Sequence, residues 1–212
     1  MGKKILQILL AIVIVGCVWV IYDQISTPIK FESEMKQKKA AVIERIKDIR
    51  SAERAYKLKY QRFTDDFDSL AHFILNDSLE MERKLVDEDD SVALAQLKKS
   101  GRRNVEKFNV AVIDTVFAPR KLTAEQVREL RFIPGTDNKS QFLLEAGTVN
   151  AGNVTVPVVE CRAPYKMFLN TTIYRQEIIN LIDDDTNNFN RYPGVKFGSM
   201  EAANNEAGNW ED

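Results

Sequence analysis

Histidine and cysteine are almost absent from this sequence: His72 stands alone, and the two cysteines are Cys17 and Cys161. No cluster of imidazole and thiolate ligands is available for a metal. Cys17 lies inside an apolar run far from Cys161, so no intramolecular disulfide is expected. A nucleophile needs a base beside it, and no serine or cysteine signature surrounds His72, which reads as a structural or surface residue. An excess of one charge is missing too. The 30 Lys+Arg against 31 Asp+Glu leave a net charge of −1, which offers no basic field for phosphates, and a nucleic-acid partner is not expected. There is no Gly-rich phosphate loop either. Neither catalysis nor a cofactor is expected from these residues.

What the sequence does have comes first along the chain. Residues 5–22 read ILQILLAIVIVGCVWVIY, without a charge and with Gln7 as the one strongly polar side chain. Eighteen such residues are just long enough to cross a bilayer core. Lys3 and Lys4 precede the run, and Trp19 and Tyr22 sit at its far end, where amphipathic rings favour the interface. The expectation is a short cytoplasmic tail (1–4), a transmembrane anchor (5–22), and the bulk of the chain in the periplasm. Two alternatives concern processing. A cleaved signal peptide lacks its small-residue exit here. The stretch Ile14-Val15-Gly16-Cys17 looks like a lipobox, which makes Cys17 a lipidation candidate, although the apolar run continues past it.

Beyond Ser26-Thr27-Pro28, where proline suits a first helical turn, residues 29–60 contain no glycine or proline. Met35, Val42, Ile46, Ile49, Ala52, Tyr56 and Tyr60 recur at helical spacing and predict a long amphipathic stalk helix that packs on the domain or on a second copy. Arg45, Lys47 and Arg50 alternate with Glu44 and Asp48, as on a solvated face. Thr64 before Asp65 and Asp66 predicts a capped helix over 65–75. Residues 91–97 form a short amphipathic stretch between the acidic 87–90 and the basic Lys98, Lys99, Arg102 and Arg103. Strand patterning follows over 107–117, 130–133, 141–149 and 154–163, with turn-rich separators at 135–138 and 150–153, as in sequential antiparallel hairpins. Pro157 then belongs on an edge or at a bulge. Residues 172–182 return to a helical pattern. The expected organisation is α+β: a membrane helix continuing into a long amphipathic helix packed on an antiparallel sheet, with residues 61–212 as one extracytoplasmic domain.

Two further patterns name candidate sites. Asp183, Asp185 and Asn187 put oxygens at alternate positions, as the first half of a calcium loop does, but Asn188 and Gly194 stand where that loop needs glycine and glutamate. The triplet Asp-(Ser/Thr)-aliphatic occurs at Asp68-Ser69-Leu70, Asp77-Ser78-Leu79, Asp90-Ser91-Val92 and Asp114-Thr115-Val116. It looks like an O-glycosylation acceptor, making Ser69, Ser78, Ser91 and Thr115 modification candidates; Asp-Ser pairs are also common at turns and helix starts.

The segment Ile46-Lys47-Asp48-Ile49-Arg50-Ser51-Ala52-Glu53-Arg54-Ala55-Tyr56, running on to Tyr60 and Phe63, resembles the helix-to-loop region of type IV pilins and type II secretion pseudopilins. It also resembles an uncharacterised group of inner-membrane proteins from Bacteroidota-type bacteria, to which the ending Tyr192-Pro193-Gly194-Val195-Lys196-Phe197-Gly198-Ser199 and Ala203-Asn204-Asn205 is similar as well. The resemblance implies a single-pass inner-membrane protein that works through protein–protein contacts, by self-association or within an envelope or secretion complex. An anchored or lipidated periplasmic ligand-binding domain is the alternative. Pilins carry a glutamate at the fifth mature position, and this anchor contains no acid.

Overall fold

The structure is a computed structural model. It describes every residue except Met1, Glu88, Arg102, Pro119 and Asp212, and leaves out the side chains of Gly2, Lys3, Ile5, Ser91, Leu94 and Lys98. Glu88 and Arg102, two members of the flanking charge clusters, therefore lie outside the described residues.

Helix α1 runs unbroken over Gly2–Tyr60, 59 residues, or about 90 Å at 1.5 Å per residue. Ser26-Thr27-Pro28, where a second helix can start, is passed without a break. Pro28 lies inside the helix, where it removes one amide donor, and anchor and stalk form one rod. Its second half carries the core. Val42, Ile46, Ile49 and Ala52 are fully buried, Tyr56 nearly so, and Ala55 and Glu53 join them. The buried face is thus about half the circumference, wider than the expected stripe.

One side of that half packs on a three-stranded antiparallel sheet in the order β3-β4-β5: Leu143–Ala151, Val154–Pro164 and Gly194–Gly198. Alternation on β4 and β5 sends Val159, Cys161, Ala163, Val195 and Phe197 into the core. The β3–β4 hairpin turns in two residues, with Gly152 at φ +65°, a conformation glycine adopts without penalty. Pro157 falls within the central strand, opposite Thr148. It needs no amide partner on its other side, because β5 ends at Gly198 opposite Glu160. Gly198 itself has φ +75°, and a β-carbon there would run into the Val159 carbonyl oxygen.

The other side of α1 is covered by shorter elements. Helix α2 (Phe67–Asn76) buries Leu70, Phe73 and Ile74, and Phe73 meets Tyr56 edge-on at 5.1 Å. Its cap is Asp66, which accepts from the amides of Asp68 and Ser69, and not Thr64. The hydroxyl of Thr64 instead accepts from the Asp66 amide. A separate ribbon pairs β1 (Ser78–Arg83) with β2 (Glu106–Ala111), and the helix α3 (Ser91–Lys99) lies between them in sequence.

The strand expected over 107–117 stops at Ala111. Val112 is fully buried, its amide bonds to the Asp77 carbonyl, and the chain turns into helix α4 (Val112–Val116). The strand expected over 130–133 gives way to helix α5 (Ala124–Arg128) and a 3-10 turn, Glu129–Arg131, leaving an isolated bridge from Phe132 to Gln141. The Thr123/Gln126 capping box starts that helix and outweighs the short apolar alternation after it. Helices α6 (Tyr165–Phe168) and α7 (Arg175–Asp183), with a π-helical turn at Asp184–Asn188, complete the domain.

Candidate functional site

Among the described residues, none covers the apolar first half of α1. From Leu6 to Ile29 the large apolar side chains keep between 45% and 70% of their surface, and the first buried residue of the helix is Phe31. A soluble domain does not leave so long an apolar run in water. By length and composition this helix is able to cross a membrane, and it is compatible with single-pass anchoring. Cys17 lies exposed on the same stretch.

The far half of α1 holds the end of the chain. Arg50, Arg54 and Lys57 share one face by their spacing of four and three residues. Glu206, 8% exposed, pairs with Arg54 at 3.1 Å and Lys57 at 3.3 Å. Arg50 reaches Glu211 at 2.6 Å and lies over the Trp210 ring, 5.4 Å from its centroid. The Arg50 guanidinium and the Gly208 amide hold the Glu211 carboxyl below its usual range, with the amide the larger cause. Asn205 and Glu206 both sit at positive φ, 55° and 53°, a backbone that non-glycine residues keep only when neighbours enforce it. Asn209 completes the closure by accepting from the Lys196 amide and donating to the Gly194 carbonyl. Replacing Glu206 with alanine leaves Arg54 and Lys57 facing each other. The half-exposed cations limit the expected loss to about 1–2 kcal/mol. Residues 199–211 are expected to become the first site of limited proteolysis, with a red shift in Trp210 emission.

Glu53 is fully buried among these elements. One carboxyl oxygen accepts from the Thr64 amide at 3.1 Å, and the other has no hydrogen-bond partner. Burial pushes its carboxyl up to about 8, against the lowering effect of the Thr64 amide. Near it, burial also raises the Cys161 thiol well above its ordinary value, so that sulfur stays protonated and inert.

The residues singled out from the sequence do not converge. Asp183 accepts from the Asn187 side chain at 2.6 Å and Asp185 accepts from the Tyr165 hydroxyl at 2.9 Å. The chain is helical through this stretch, so alternate oxygens fan outward instead of closing on a point. Among the described residues no group of three His, Cys, Asp or Glu is placed to hold a metal. Ser69 is exposed, with its hydroxyl donating to Asp66; Thr115 is half-buried and donates to the Ala111 carbonyl. Ser78 is exposed at the start of β1, while the side chain of Ser91 lies outside the described residues. His72 is exposed on α2 at the rim of an open groove with Tyr56, Tyr60 and Asp77. Tyr60 donates to Asp77 at 2.6 Å and Lys59 pairs with the same carboxylate at 3.1 Å, so the acid there is already occupied. A second groove, of about 420 Å3, is lined by Glu44, Arg45, Asp48 and Arg120. There Arg120 bridges both carboxylates and Arg45 donates to the Glu129 carbonyl.

The buried Glu53 and the clamp around Glu206 were not visible in the sequence. The spacing of Arg50, Arg54 and Lys57 was a usable signal, but their partners lie some 150 residues away. No family model, curated protein or solved structure matches this chain.

Proposed function

We propose that this chain is a single-pass, pilin-like envelope protein, with its domain on the periplasmic side of a bacterial inner membrane and its work done through protein–protein contact. The observation that carries the reading is the division of α1: an apolar half that none of the described residues covers, continuous with a half that forms the core of an α+β domain. A rigid rod that is free at one end and tied to an antiparallel sheet at the other suits side-by-side packing of helices between copies. The absence of an acid from residues 5–22 argues for contacts other than those made by a glutamate-bearing pilin helix. Crosslinking in intact membranes followed by mass spectrometry tests this. Crosslinks from chain to chain, or to a secretion or envelope complex, are expected through α1; a chain recovered solely as a monomer contradicts the assembly reading.

A further inference from the structure

The domain is fastened to α1 close to where the apolar run ends. Phe31 meets Tyr174 in a tilted ring pair with centroids 5.3 Å apart, and Lys39 lies 6.0 Å from the Tyr165 ring centroid. The start of α7 therefore flanks the stretch of α1 just past the run, and α6 flanks it two turns further on. Phe31 follows Asp23, the first charge after the run, by eight residues, or about 12 Å along the axis. Headgroups extend roughly 5–8 Å beyond the hydrocarbon. Tyr174 stands near that level, whereas Tyr165, beside Lys39, stands about 24 Å past Asp23, so the side chains of α6 come to the layer when the rod tilts.

The side chains found there suit it. Ile173, one residue before Tyr174, is 64% exposed, as is Ile29 at 63% on α1. Around the start of α7 lies a groove of about 410 Å3 with Ile178 and Ile179 in its wall and Lys166 and Arg175 among its lining. Lys166 and Arg175 are exposed, and among the described residues neither pairs with a carboxylate, whereas Arg83, Arg120, Arg131 and Arg162 of the same domain do. Apolar surface with unpaired cations beside it is the pattern of a face that lies on anionic lipid, because the stems bury and the charged heads meet phosphates.

We propose that the α6–α7 end of the domain, through Ile173, Lys166 and Arg175, rests on the anionic headgroups of the same bilayer that holds α1. The domain then leans on the membrane instead of standing off it on a free stalk. This rests on the anchored reading of α1. The test uses the full chain with Cys17→Ser, reconstituted in vesicles, with an environment-sensitive fluorophore on Ile173→Cys in one sample and on Val13→Cys in another. With phosphatidylglycerol present, headgroup-level nitroxide lipid is expected to quench the probe at 173, and Lys166→Glu/Arg175→Glu to cut that quenching by about half or more. Vesicles of phosphatidylcholine alone are expected to show the same reduction. The proposal is overturned if the probe at 173 responds solely to a water-borne quencher, or if its quenching ignores lipid charge and both substitutions. Deep quenching at 13 in the same experiment leaves the anchor standing, whereas its absence removes the anchor as well.

Discussion

Glu53→Gln is expected to make the protein more stable as the pH rises, and the size of the gain follows from where the carboxyl sits. In the folded chain burial holds Glu53 near 8, against an ordinary value of 4.5 in the unfolded chain. The folded state therefore keeps a proton that the unfolded state releases. Stability from this group is fully present below about 4.5, declines as pH rises through the interval, and is lost above about 8. At 1.36 kcal/mol per unit, the interval is worth on the order of 3–5 kcal/mol. Glutamine is neutral throughout and still accepts from the Thr64 amide, so the variant matches the parent near pH 4 and exceeds it by several kcal/mol at pH 9. Urea unfolding of the full chain in micelles at both pH values measures the difference. Asp66 and Asp77 are shifted the opposite way: Ser69 and the neighbouring amides lower the first, and the Tyr60 hydroxyl is the largest cause for the second. They lose stability as pH falls, so the comparison with Glu53→Gln, and not the parent profile alone, isolates the buried carboxyl.

Phe197→Ala is the second large effect. Phe197 is fully buried on β5, paired in register with Cys161 and bridged on its other side to Gly208. Removing the ring opens a cavity between α1 and the sheet and costs about 3–5 kcal/mol. Because β5 also supports the C-terminal closure, residues 199–211 should loosen along with the core. The expected result is a fall in unfolding midpoint accompanied by loss of the Trp210 signal. An unfolding free energy unchanged within about 1 kcal/mol contradicts the packing described here.

Parts of this architecture were legible in the sequence because one short-range signal fixed them. The spacing of Val42, Ile46, Ile49 and Tyr56 gave the buried face of α1, and the alternation on either side of 150–153 gave the β3–β4 hairpin. Helix α2 and the amphipathic α3 also appear close to their expected ranges. Strand β5 did not announce itself, since five residues with a glycine at each end carry too little alternation and depend on β4 for their pairing. Strand β1 was hidden for a similar reason: Ser78–Arg83 is mostly charged and exposed, and it exists through its register with β2. Pro28 marked a point where a second helix can start, but the helix runs through it, because helical turns on both sides of it along the chain absorb one missing amide bond. The candidate site was the least legible part. Interleaved charges on α1 look alike in sequence, yet Glu53 is buried, Asp48 is held by Arg120, and Arg50 and Arg54 grip the far end of the chain. Distinguishing them requires the fold.

Alkaline carbonate extraction of membranes containing the full chain tests the central claim most directly, because it strips peripheral proteins and leaves spanning helices in place. If the apolar half of α1 crosses the bilayer, the full chain stays in the pellet and a chain without residues 2–24 moves to the supernatant. Recovery of the full chain in the supernatant would contradict the account.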